Sequence, residues 1–297
     1  MHPDYSAHRG FIAPARHRAE AWRLILGLVM MAAIYLGLLL AIDAITRAVL
    51  SDAHYFDFRA AIYDGGQPAG ALFILWSFAC MAIATCAVTH QLHRRSPLSL
   101  LGPPVLALRQ GLRVATAVAM LFAALWLLPP PDIPRGLTPR TPLADWVMLM
   151  PLALPALLVQ TGAEELVFRG YLQQQLAARF TSPRVWLLGP AVLFGLMHYR
   201  PDAGGNAWLF IVWAGAFSLA ASDLTARAGT LGPAIALHFV PNAWAILIFS
   251  QDVSLSGLSL YHLPIDLADT ETVPVLLLVD LAVLFVSWLA ARLALRR

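Results

Sequence analysis

The chain alternates long apolar blocks with short polar breaks. Eight blocks are legible, at 22–42, 69–90, 109–129, 146–176, 185–200, 206–222, 231–250 and 273–291. Most are close to the ~20 residues that a helix needs to cross the hydrocarbon layer. The fourth is longer than that, and the fifth is short. The breaks carry Pro, Gly and Asp, as in "YDGGQP" at 63–68, "PPPDIPRG" at 129–136 and "YRPDAGGN" at 199–206, where helices stop and loops begin. The pattern predicts an all-α fold, a polytopic membrane helix bundle of about eight transmembrane helices. A soluble protein with a large buried core is the alternative, and the repeated runs near 20 residues argue against it. Residues 24–42 outrun the about 7–15 apolar residues of a signal peptide, with no small-residue cleavage site after them, so they read as an anchor.

Charge orders the breaks. Arginine is dense in the N-terminal arm (Arg9, Arg16, Arg18, Arg23), around Arg94, Arg95, Arg109 and Arg113, at Arg179 and Arg184, and at the C-terminus (Arg292, Arg296, Arg297). The loop at 251–272 has no arginine and carries Asp252, Asp266, Asp269 and Glu271. Arginine-rich and arginine-poor loops thus largely alternate. The positive-inside rule then puts both termini in the cytoplasm, as an even number of spans requires. The expectation is an integral protein of a bacterial plasma membrane, with the lipid bilayer as its surroundings.

Composition agrees: 59% of residues are hydrophobic and 12% charged, against about 25% charged in soluble domains. All basic residues are arginine, and a pI near 9 follows from cytoplasmic-loop arginine without implying nucleic acid. Cys80 and Cys86 share one apolar block and lack the spacing of a zinc site or a disulfide framework. No internal repeat is visible. The chain divides into residues 1–145, an arm with three anchoring helices; 146–250, a core of four helices; and 251–297, an outer loop and a last helix.

The fourth block contains "GAEELVFRGY" at 162–171, with two of the four glutamates side by side. Ionised carboxylates at membrane depth are costly and mark functional sites. Glu165 and Arg169 are four apart, acid first, and form the favourable helical ion pair. That leaves Glu164 unpaired, pointing about 140° away from Arg169 on a regular helix, so Glu164 takes the chemical role and Glu165 the supporting one. A turn near "FTSPR" at 180–184 joins blocks four and five and brings Glu164 and His198 to one height. The polar stretch 173–184 then projects as the hairpin tip. Block seven supplies His238 and Asn242, four apart on one face, with His238 ~10 Å from the break at 229–232. Pro241 lies between them and frees the carbonyl of Leu237, which predicts a kink.

A carboxylate and an imidazole together can deprotonate water; a second imidazole and an amide can donate to a developing oxyanion. The inferred reaction is hydrolysis of a peptide bond by activated water. "EELVFR" at 164–169, "FGLMH" at 194–198 and "HFVPN" at 238–242 resemble, in order, spacing and placement, the motifs of the CAAX protease and bacteriocin-processing family, which includes the eukaryotic Ras-converting CAAX endopeptidase. The resemblance covers about residues 146–250. It implies an intramembrane endopeptidase with a cytoplasm-facing cavity, a membrane-associated protein or peptide as substrate, Glu164 and His198 activating water, His238 and Asn242 lining the oxyanion site, and Glu165 and Arg169 completing the first motif. Pro241 departs from the ordinary helical form of the third motif. A prenylated substrate is not implied, because the family is functionally mixed.

Two other classes share these residues: a proton-coupled transporter, and a catalytically idle binding or immunity module. Zinc is the alternative cofactor, held by Glu164, His198 and His238 with water in the fourth position. With His238 committed beside Asn242, only two ligands remain, so the reading favours no tightly bound metal. Remaining polar residues get structural roles: Asp280 in interhelical hydrogen bonding, His90 and His93 at the interface, Asp43 and Arg47 as an ion pair, 214–221 as small-residue packing, and Trp22, Trp126 and Trp146 as interfacial anchors.

Overall fold

In the computed structural model, described over residues 5–127, 137–250 and 255–296, each apolar block is a helix. In chain order they are α1 (Ala21–Val49), α2 (Pro68–Gln91), α3 (Pro104–Trp126), α4 (Leu143–Glu165), α5 (Pro183–Met197), α6 (Ala207–Ala228), α7 (Gly232–Ala243) and α8 (Thr272–Leu295). α4 runs on as a π-helix over Leu166–Gln173 and an α-helical turn over Gln174–Arg179; α7 ends in a π-helix over Trp244–Ile248. Among the described residues six helical segments are long and apolar enough to cross a membrane, while Pro183–Met197 and Gly232–Ile248 are shorter. Proline stands in the first turn of α2, α3, α5 and α7, where its missing N–H has no intrahelical partner to lose. The break at 129–136, Asp252 and Arg297 lie outside the described residues.

The eight helices alternate in direction, so both chain ends lie at one end of the bundle. At this terminal end Tyr5 donates to Asp223 (2.7 Å), Phe11 and Ile12 pack on Ala177, Trp186 and Ala226, and the Leu231 amide donates to the carbonyl of Leu101 (3.0 Å). Gly229 closes α6 at φ 70°, and a Cβ there would also meet the carbonyl oxygen of Ala7 at 2.8 Å, so both conformation and space require glycine. At the far end Arg140 donates to the carbonyls of Ser256 (2.8 Å) and Gly66 (2.7 Å), and Asn206 donates to those of Leu267 and Asp269. Three two-residue strands cap this end: β1 (Thr138–Pro139), β2 (Phe249–Ser250) and β3 (Tyr261–His262), in the order β1-β3-β2. β1 runs antiparallel to β3 with Thr138 opposite His262, and β2 runs parallel to β3 with Phe249 opposite Tyr261.

Several structural assignments change. The hairpin tip is solvated only in part: residues 179–182 are exposed, whereas Gln173, Gln174 and Gln175 are buried. Gln173 donates to the carbonyl of Ser222 (2.9 Å) and Gln174 to that of Ser99 (2.9 Å), while Arg95 donates to Gln174. His93 is buried rather than interfacial, 2.8 Å from the Tyr171 hydroxyl. Asp43 pairs with Arg59 (2.9 Å) and accepts from Tyr55, while Arg47 lies over the Tyr55 ring. Sequence spacing shows partners one turn away and is blind to the helix Asp52–Asp64 that folds back alongside. The Pro241 kink takes the form of the widened turn that follows it.

Candidate active site

α4, α5 and α7 converge on the motif residues. Gly170 lies against Leu100 and Leu231 at the terminal end; Glu164, six residues earlier on the chain, sits ~9 Å further into the bundle. α5 ends at Met197, so His198 caps it at the same height. α5 can lie close against α6 because position 195 is glycine: a Cβ there would stand 2.7 Å from the carbonyl oxygen of Ile211.

Glu165 and Arg169 are fully buried and joined at 2.7 Å. Glu165 is also the second partner of His238, whose Nδ1 lies 2.8 Å from the same oxygen. A carboxylate only accepts, so Nδ1 carries a proton. The other nitrogen, Nε2, stands 3.5 Å from Glu164. Glu164 is therefore not isolated, as helix geometry within α4 alone suggested: His238 bridges the adjacent glutamates from α7. Glu164 differs from Glu165 in access, with 14% of its side chain exposed against 0%.

His198 Nδ1 lies 2.8 Å from the carbonyl oxygen of Phe194. A carbonyl accepts, so Nδ1 donates and Nε2 is left with its lone pair. Phe194, the first residue of the second motif, has no assigned role in the sequence reading. In the structure it is the hub of the site. Its ring centroid is 4.4 Å from that of His198 and 4.9 Å from that of Phe168, and the Arg169 guanidinium lies 5.0 Å above its face. Phe217 of α6 completes the cage, 5.4 Å from Arg169 and 4.7 Å from the His238 ring. The buried cation thus has a carboxylate on one side and aromatic faces on the others.

Glu164, His198, His238 and Asn242 all line one cavity of about 590 Å³. Asn242 donates to Gln160 (3.4 Å), a second wall residue that sequence reading passed over. Its signal was present, since Gln160 is one turn before Glu164 in an apolar helix. Asp280 of α8 also lines the cavity. It makes no hydrogen bond or ion pair among the described residues, so the interhelical role expected for it is not observed. Among the described residues no group of three His, Cys, Asp or Glu side chains is arranged to hold a metal ion. His238 Nδ1 is committed to Glu165, its Nε2 faces Glu164 at 3.5 Å, and His198 offers one nitrogen to the same cavity.

Arg200, Phe249, Ser250, Leu255 and Leu263, all from the far end, also line the cavity. Beneath the site the terminal end is closed by the buried glutamines, Tyr171 and the N-terminal arm.

Comparison with known proteins places these residues in context. Residues 145–244 match the family model described as type II CAAX prenyl endopeptidase Rce1-like. The uncharacterised protein YyaK of Bacillus subtilis (strain 168) is 28% identical over 117 residues, 38% of each chain; the chain thus spans well under half the length of this relative. No solved structure matches. The matched segment contains all three motifs, and it is there that this chain is similar to the type II CAAX prenyl endopeptidase Rce1-like family.

Proposed function

We propose that the protein is an intramembrane endopeptidase that cleaves a membrane-associated protein or peptide with water activated by Glu164 and His198. The observation that carries this reading is the convergence of four motif side chains from α4, α5 and α7 on one cavity inside the bundle. The Glu164 carboxylate and the His198 Nε2 lone pair are both acceptors, suited to hold a water molecule and take its proton. The water oxygen then bonds to the scissile carbonyl carbon. His238 Nε2–H and the Asn242 amide donate to the resulting oxyanion. Collapse breaks the C–N bond, and the proton held by Glu164 passes to the leaving amine.

Charge balance supports the role of His238. Glu164 and Glu165 bring two negative charges, and Arg169 brings one positive. With His238 protonated on both nitrogens the cluster sums to zero, the condition under which buried charges are tolerated. The imidazolium then donates to Glu165 through Nδ1 and has an acidic Nε2–H for an oxyanion. No step requires a metal.

Comparative membrane proteomics of wild-type and Glu164→Gln strains tests the reading. New protein termini that depend on Glu164 are expected. Identical terminal peptides in the two strains would overturn the endopeptidase and leave the sequestering module or the proton-coupled transporter.

A further inference from the structure

We propose that Asp280 forms a subsite that binds a basic side chain of the substrate, an arginine or lysine near the scissile bond; the inference rests on the endopeptidase reading. Asp280 is on α8, outside the matched segment 145–244. It lies eight residues into that helix, ~12 Å from its far-end start, and shares the cavity with Glu164 and His238. A carboxylate at this depth is costly unless it is paired or faces a water-filled space. Among the described residues Asp280 has no pairing, and its residue is exposed on the cavity side of a helix otherwise made of apolar neighbours.

The other charged groups on the cavity are already matched within the protein. Arg200 is held by Asp202 through two contacts, at 3.0 and 2.6 Å. Glu164 faces His238, and behind it Glu165 faces Arg169. The carboxylate of Asp280 is the charge left over, and a cation supplied from outside would balance it. The same cavity is lined by Phe122, Trp213, Phe217 and Trp244, aromatic side chains whose faces favour a guanidinium or ammonium and give an apolar setting to the residues that flank it. A basic residue within an apolar stretch is the substrate chemistry that fits.

The test uses purified full-length protein with internally quenched apolar peptides that differ at one position, carrying Arg, Gln or Glu, and with Glu164→Gln as the inactive control. Wild type should cleave the best Arg peptide at least about tenfold faster, in kcat/KM, than its Gln counterpart. Asp280→Asn, which keeps size and hydrogen bonding, should abolish that preference while leaving the Gln peptide within about twofold. Equal Arg preference in wild type and Asp280→Asn overturns the subsite with the endopeptidase intact. If no peptide is cleaved, binding decides: thermal stabilisation of Glu164→Gln by the Arg peptide, absent when Asp280→Asn is added, supports the subsite. Equal stabilisation with and without Asp280 overturns it.

Discussion

Glu165→Gln is the substitution whose cost the structure defines most closely. The change keeps the shape of the side chain and removes its charge. Arg169, fully buried, is then a cation with no counter-charge at 2.7 Å. The aromatic faces of Phe194 and Phe217 remain, and each contributes about 1 kcal/mol. Removing one partner of a buried ion pair costs about 3–5 kcal/mol, a large share of the ~5–15 kcal/mol by which folded domains are stable. The apparent Tm of the detergent-solubilised variant should fall by about 10 °C, given roughly 2–4 °C per kcal/mol for chains approaching this size, with lower folded yield. Adding Arg169→Met should restore much of the loss, because the double variant has no stranded charge and Met fills the aromatic cage. Glu164→Gln, whose carboxylate reaches the cavity and makes only the 3.5 Å contact, should shift the Tm by less than about 3 °C while abolishing cleavage. Thermal unfolding and size-exclusion profiles of the four proteins give the comparison. A Glu165→Gln protein as stable as wild type, or a double variant no better than the single one, would refute the account of Glu165 as the counter-charge of Arg169.

Burial lowers His8 from 6.5 to about 4, so the docked arm, stacked on Trp186, holds a neutral ring. Docking should be at full strength above pH 6.5 and weaken as pH falls from 6.5 towards 4, because only the undocked arm takes up the proton; faster amide exchange over residues 8–18 at pH 5 than at pH 7, after correction for intrinsic rates and abolished by His8→Phe, is the expected result. With cytoplasmic termini the far-end loop that carries Leu263 faces outward, so Leu263→Cys in a Cys80→Ala/Cys86→Ala background should react with a membrane-impermeant thiol reagent in intact cells. Labelling only after permeabilisation would reverse the orientation. Glu164-dependent cleavage should survive exhaustive chelation; activity lost on chelation and restored by zinc would overturn metal-free activation.

The sequence by itself determined the class of fold and singled out motif residues that line one cavity. Eight apolar blocks with polar breaks leave a helix bundle as the consistent arrangement, because helix length, apolar composition and breaker residues are local properties. The three motifs were equally local, and their four-residue spacings put Glu165 beside Arg169 and His238 beside Asn242 on single helix faces. The tertiary structure decided which groups meet across helices: His238 bridging Glu164 and Glu165, Phe194 and Phe217 enclosing Arg169, Gln160 holding Asn242, and Asp280 facing the cavity instead of a neighbouring helix. It also decided that residues from the far end, Arg200, Phe249 and Leu263 among them, join the motif residues around one cavity. These are properties of packing, fixed by which faces of separate helices come together, and a spacing rule that works within one helix has no access to them.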